Sequence, residues 1–197
     1  MTTTTSTPSP TARLVHLPEF RLAVIAVSVF VLMAALSPDR FLSAQNLTSM
    51  AFQFPEFAIL ALAMTIAMMT GGIDLSVVGV ANLSAVAAAL LLANVVGPEV
   101  SGGAAALWLV LAVMLALSIG AVAGLINGLL VARFGLPPIL ATLGAGLVYT
   151  GLAVAITGGS AVMGFPDIVA VIGNARLFGI PVPLILFAAL AYGLHVL

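Results

Sequence analysis

The sequence has 197 residues, of which 63% are hydrophobic and 6% charged, with a formal net charge of −1 and no cysteine. A water-soluble globule cannot be covered with so few polar groups, so the chain reads as an integral membrane protein. The missing cysteines exclude disulfides and thiolate metal sites, His16 and His195 are too few for most imidazole clusters, and five arginines without lysine make no basic patch for nucleic acid. No metal, cofactor or catalytic residue is expected in this chain, and its expected partners are lipid, other membrane helices and a small solute.

The first stretch, "MTTTTSTPSPTAR", is rich in Thr, Ser and Pro and uncharged until Arg13. Residues 1–19 are expected to be a disordered tail, and residues 20–197 a transmembrane domain. A cleaved signal peptide competes for the start, because Arg13 and Arg21 precede an apolar run and "AALS" offers small residues. Cleavage there would not remove the later spans.

A helix crossing about 30 Å of hydrocarbon needs about 20 mostly apolar residues. By that ruler the first span covers residues 20–37 and is closed by Pro38. The second covers 51–70 with Pro55 and Glu56 in its first turns, and the third runs from 74 to 96. A fourth, at 104–131, would be ~42 Å long and must tilt, bend or protrude. The fifth covers 138–156, entered through Pro137 and Pro138, which suit a helix start. Between it and the sixth, which begins near Pro183, a short interfacial helix after Pro166 and a glycine-rich return are expected.

The sixth span is ~22 Å long and has no polar or cationic stop, so the chain reads as cut within it. The predicted fold class is all-α, a polytopic transmembrane helical bundle of about six spans. Arg13, Arg21 and Arg133 on one side against Arg40 and Arg176 on the other predict a cytoplasmic amino terminus. That topology leaves the "GGID" and "RFGLPP" connections inside and the 97–103 and 157–182 loops outside.

Small residues recur four apart on two spans: Gly120, Gly124 and Gly128 on the fourth, and Ala81, Ala85, Ala89 and Ala93 on the third. Both faces predict close helix packing, and the glycines also permit a kink. Polar side chains within spans are costly unless paired or facing water. Asn82, Ser84, Asn127 and Tyr149 are therefore the candidates for a solute pathway, with Thr142 beside them. Hydrogen bonding between helices is the competing reading for each. Glu56, placed about one turn inside the interface, can snorkel or cap. His195 reads as packing.

Asp74 lies in "MMTGGIDLSVVGVANLSAVAAALLLA", one of the most apolar parts of the chain. Gly71 and Gly72 end one helix and Asp74 opens the next, where its oxygens can accept the N–H groups of Ser76 and Val77 at the positive end of the helix dipole. A structural turn and a gating or coupling role remain open for this segment. There is no G-x-S-x-G, H-E-x-x-H or G-x-x-x-x-G-K-[ST]. "TGG" recurs at 70–72 and 157–159, a pattern compatible with an inverted repeat or with chance.

Four segments in order, "RFLSAQNLTSM", "ILALAMTIAMMTGGIDLSVVGVANLSAVAAA", "GLINGLLVARFGLPPILATLGAGLVYTGLAVAITGG" and "IGNARLFGIPVPLILF", resemble the permease subunits of bacterial ABC importers for ribose, xylose and related sugars. The resemblance implies a subunit of about ten transmembrane helices that pairs with a second copy or a homologue. It also implies two cytoplasmic ATPase subunits that supply the energy, a periplasmic or lipoprotein sugar-binding protein, and a place in the bacterial inner membrane. The sequence departs from the family at Glu56, where an uncharged residue is commoner, and at "SVVGV", where a glycine commonly sits two residues earlier. The alternatives are a truncated, non-transporting pseudosubunit and an intramembrane enzyme, for which only Asp74 is a strong ionisable candidate.

Overall fold

The computed structural model describes residues 18–196. The expected tail therefore lies outside the described residues except for Pro18 and Glu19, which begin a helix, and Arg13, His16 and Leu197 lie outside them too. The helices are α1 (Pro18–Leu36), α2 (Pro38–Phe41), α3 (Ala44–Met69), α4 (Val77–Leu90), α5 (Gly102–Ala132), α6 (Pro138–Thr157), α7 (Asp167–Gly173) and α8 (Val182–Val196). A π-helical turn, Leu91–Val96, extends α4. Five helices are long and apolar enough to cross a membrane, and α8 is a shorter apolar helix. Helix is what an apolar environment demands, because backbone N–H and C=O groups find no water there and must bond within their own segment.

The chain divides into two compact units at Met50/Ala51, inside α3. In the first, the Phe30 and Phe41 rings meet edge-on with centroids 5.0 Å apart. Ser43 accepts the Asn46 N–H at 3.2 Å and donates to the Arg40 carbonyl at 2.8 Å, so it caps α3. This cap starts the helix seven residues before the predicted boundary at 51. The polar turn "AQNLTSM" was excluded by hydropathy, yet it needs only one satisfied end to be helical.

In the second unit α4 packs against both α5 and α6. The α4–α6 crossing is a backbone contact: a Cβ built on Gly79 would overlap the carbonyl oxygen of Gly146, and one built on Gly146 would stand 3.0 Å from Ser76 Cα. Thr142, Gly146, Tyr149 and Ala153, all buried on α6, form one stripe at spacings of four and three. The buried stripe of α5 is Ala105, Ala112, Ala123 and Asn127.

The expected packing face of Gly120, Gly124 and Gly128 is rotated roughly 90° from that stripe. A Cβ on Gly124 or Gly128 would meet nothing within 4 Å, and one on Gly120 would only touch Val80 at 4.0 Å. Among the described residues these glycines border cavities instead of a helix. Ala81 and Ala89 are half-buried on α4 and Ala85 is exposed. The close approach belongs to glycines that do not repeat every four residues on one helix, which is why spacing within a helix did not find it.

The segment after α6 contains the expected short helix, α7, followed by a two-stranded hairpin that was not expected. It pairs Arg176 with Pro181 and Leu177 with Ile180. Phe178 and Gly179 both have positive φ, 53° and 83°, as a two-residue hairpin turn requires. The Arg176 guanidinium lies over the Phe52 ring of α3, 5.4 Å from its centroid.

Gly79→Val and Gly146→Val are expected to lower stability by about 1–3 kcal/mol through overpacking, whereas Gly128→Ala is neutral or gains up to about 1 kcal/mol of helix propensity. Thermal unfolding of the detergent-solubilised protein measures the contrast.

Candidate functional site

The turn between α3 and α4 is built by polar atoms that apolar helices cannot supply. The Thr70 hydroxyl donates to the Ala67 carbonyl at 2.7 Å, closing α3. Gly71 then takes φ +87°, a conformation that favours glycine. The next residues are tied to α6 by Thr142. Its hydroxyl oxygen accepts the Leu75 N–H at 3.0 Å, and its proton is shared between the carbonyls of Pro138 at 2.8 Å and Ile73 at 3.2 Å.

Asp74 is half-buried at this turn. Its Oδ1 accepts the Ser76 N–H at 2.8 Å and the Ser76 hydroxyl at 2.6 Å. Asp74 therefore closes a local turn two residues long, and the cap position of α4 falls to Ser76. The expected bond to the Val77 N–H does not form, because the cap sits two residues later, at Ser76, and the Ser76 hydroxyl takes the place of the second donor.

From this carboxylate a chain of hydrogen bonds crosses three helices. Asn127 Nδ2 on α5 donates to Ser76 Oγ at 2.6 Å, and the Tyr149 hydroxyl on α6 donates to Asn127 Oδ1 at 3.4 Å or to the Ala123 carbonyl at 3.3 Å. Ser76, Asn127, Thr142 and Tyr149 are all buried, with 0%, 5%, 4% and 7% of their surface exposed. Every donor in the chain points toward the carboxylate, so each bond polarises the next.

Asp74 Oδ2 receives no hydrogen bond among the described residues, and Asp74 borders two cavities. One, of about 340 Å³, is lined by the turn, by Gly124, Asn127 and Gly128 of α5, and by Thr142 of α6. The other, of about 260 Å³, lies between Leu60 and Ala63 of α3 and Gly120 and Gly124 of α5.

Of the four sequence-derived pathway candidates, the structure brings Asn127 and Tyr149 together within this network. Asn82 is exposed and lines a separate cavity with Thr150, Thr157 and Ser160. Ser84 Oγ is buried without a hydrogen-bond partner. Gly71, Gly72 and Asp74 all line the larger cavity beside the network, and a Cβ on Gly72 would meet Pro138 at 3.4 Å. Sequence reasoning did not single out Ser76, the junction of the network. The available signal was the D-x-S spacing, which places a hydroxyl and an N–H on the same carboxylate.

Comparison with known proteins decides the family. Residues 46–197 match the model described as branched-chain amino acid transport system / permease component. The chain belongs to this permease family. It is 31% identical over 180 residues to the autoinducer 2 import system permease protein LsrD of Enterobacter sp. (strain 638), covering 88% of this chain and 51% of that one. To the ribose import permease protein RbsC of Escherichia coli (strain K12) it is 34% identical over 182 residues, covering 88% and 53%. The D-allose transport system permease protein AlsC of the same strain is 31% identical over 166 residues, covering 84% and 47%. The chain thus spans about half the length of these curated relatives. No solved structure matches it. Its relatives are transport permeases, and with five membrane-length apolar helices this permease is a multi-pass membrane protein.

Replacing Asn127 with Leu is expected to cost about 1–3 kcal/mol, because interhelical bonds inside membranes are each worth roughly 0.6 to 1.7 kcal/mol and two are lost. Asp74→Asn retains an acceptor for Ser76 and is expected to stay within about 1 kcal/mol of the parent. Thermal unfolding in detergent reads both.

Proposed function

We propose that this chain forms part of the membrane-spanning permease subunit of an ATP-binding-cassette importer that carries a monosaccharide, a pentose or hexose, into the cytoplasm. The observation that carries the reading is the similarity to ribose and allose permeases across more than four-fifths of the chain. The polar chemistry agrees with it: the described spans offer amides, hydroxyls and apolar surface, which suit a neutral polyhydroxylated solute, and no clustered nucleophile and base. The permease performs no covalent step and holds no cofactor. Energy arrives from cytoplasmic ATPase subunits, a periplasmic or lipoprotein binding protein delivers the solute, and a second permease copy or homologue completes the path.

In this reading the protein sits in the bacterial inner membrane with a cytoplasmic amino terminus, which puts the Asp74 turn on the cytoplasmic side. A turn that joins α4, α5 and α6 through one hydrogen-bond chain is suited to coupling, because a displacement of any of the three helices is felt at the others. Asp74 is the proposed gating or coupling residue there, and Asn127 and Tyr149 its supports. Asn82 and Ser84 remain pathway candidates further along α4.

The family description favours a second substrate class, branched-chain amino acids. Uptake of radiolabelled ribose, allose and leucine by cells expressing the permease with its ATPase and binding protein separates the two. ATP-dependent accumulation of a sugar but not of leucine is expected; leucine uptake alone would overturn the sugar reading.

A further inference from the structure

The faces of α4 and α6 that touch at Gly79 and Gly146 continue beyond that contact. On α4 the face runs through Asn82 and Val86, and on α6 through Thr150, Ala153 and Thr157, at spacings of three and four. Here the helices no longer fill the space between them. They border a cavity of about 460 Å³ lined by Asn82, Thr150, Thr157 and Ser160, with alanine, valine and glycine between. That volume falls within the roughly 300–1,000 Å³ of small-molecule sites. Toward the Asp74 turn the glycine contact leaves no room for a side chain. At the far end Gly158 and Gly159 take φ of 62° and 75°, which turns the chain so that Ser160 lines the rim. The α6 helix has 20 residues and starts at Pro138, which lines the Asp74 cavity, so the rim stands ~30 Å from that turn.

The polar atoms around this cavity are unspent. In other spans the hydroxyls of Ser28, Thr65 and Ser118 each donate to the carbonyl four residues back, at 2.7, 2.8 and 2.7 Å. The Thr157 hydroxyl does the same at 3.1 Å, so it offers the cavity its lone pairs. Among the described residues, by contrast, no hydrogen bond reaches the side chains of Asn82, Thr150 or Ser160. Asn82 and Thr150 stand in segments long and apolar enough to cross a membrane, where a polar group without a partner is costly. Both face the same cavity. No ionisable side chain lines it, so an ion held there would find no counter-charge.

We propose that this cavity is a binding site for a neutral, polyhydroxylated solute, at the end of the α4–α6 interface away from the Asp74 turn. The Asn82 amide donates to one solute hydroxyl and accepts from another, the Thr150 and Ser160 hydroxyls do either, and Thr157 accepts. Alanine and valine cover the C–H faces of the same molecule. The solute class rests on the sugar-importer reading; the cavity and its unspent polar atoms do not. In that reading the site opens to the outer side, so an incoming solute meets it before the Asp74 turn.

The chain has no cysteine, so single cysteines report without background. In the assembled transporter in permeabilised membrane vesicles, Asn82→Cys and Thr150→Cys are expected to react with a hydrophilic methanethiosulfonate at least about tenfold faster than Val148→Cys, which is exposed on the opposite face of α6. Ribose or allose in excess should slow the reaction, and leucine should not. Thr150→Val keeps the shape of the side chain and removes only the hydroxyl. It should raise the KM for sugar uptake about three- to tenfold and leave the thermal midpoint unchanged, because that hydroxyl holds no other part of the protein; Thr150→Ser should restore the parent KM. If one cysteine variant does not assemble, the other reads the same cavity. Cysteines as slow as Val148→Cys would mean that a helix or lipid fills the space, and they overturn the proposal. So do labelling indifferent to both sugars, protection by leucine alone, and an unchanged KM. Protection needs no transport, so uptake of leucine without sugar overturns the sugar-importer reading, while protection by a sugar still supports the site.

Discussion

The backbone contact between Gly79 and Gly146 governs the second unit of this permease. Lipid gives helices no hydrophobic reason to associate, so they are held by close packing and by polar bonds formed once they are close. With no side chain on either residue, the start of α4 rests against α6. That closeness brings the Thr142 hydroxyl to the backbone of Ile73 and Leu75, and it leaves Ser76 where Asn127 of α5 can reach it. A Cβ at either glycine would separate the helices and break the polar contacts together.

The hydrogen-bond chain that follows has a direction. It starts at the Tyr149 phenol, passes through the Asn127 amide and the Ser76 hydroxyl, and ends on the Asp74 carboxylate. Three transmembrane helices are thereby referred to one charged group at the rim of two cavities. Buried polar networks with every member satisfied are rigid, whereas a terminal oxygen left free is available to solute, water or a partner.

Small residues do two separate jobs here. Gly79 and Gly146 permit contact; Gly120, Gly124 and Gly128 preserve space, since the groove they border would be filled by any larger side chain. The same residue type gives opposite outcomes according to whether a neighbouring helix occupies the position opposite it.

The sequence alone determined that the chain is a multi-pass helical membrane protein, where most spans lie, and that a tight glycine turn precedes Asp74. Those features follow from local hydropathy, proline position and turn chemistry, and they do not need a partner helix to be legible. The family resemblance was legible too, because several long motifs stand in order. What only the tertiary structure decided is which polar atoms meet. Asn127 and Tyr149 join Asp74 through Ser76, whereas Asn82 and Ser84 do not, and no spacing within one helix encodes that. The start of α3 escaped for a related reason: apolar windows find where lipid can touch a helix, while the length of α3 depends on the Ser43 cap and a polar first turn. Contacts between helices are set by the rotation of each about its own axis, and that rotation is fixed only when the neighbours are in place.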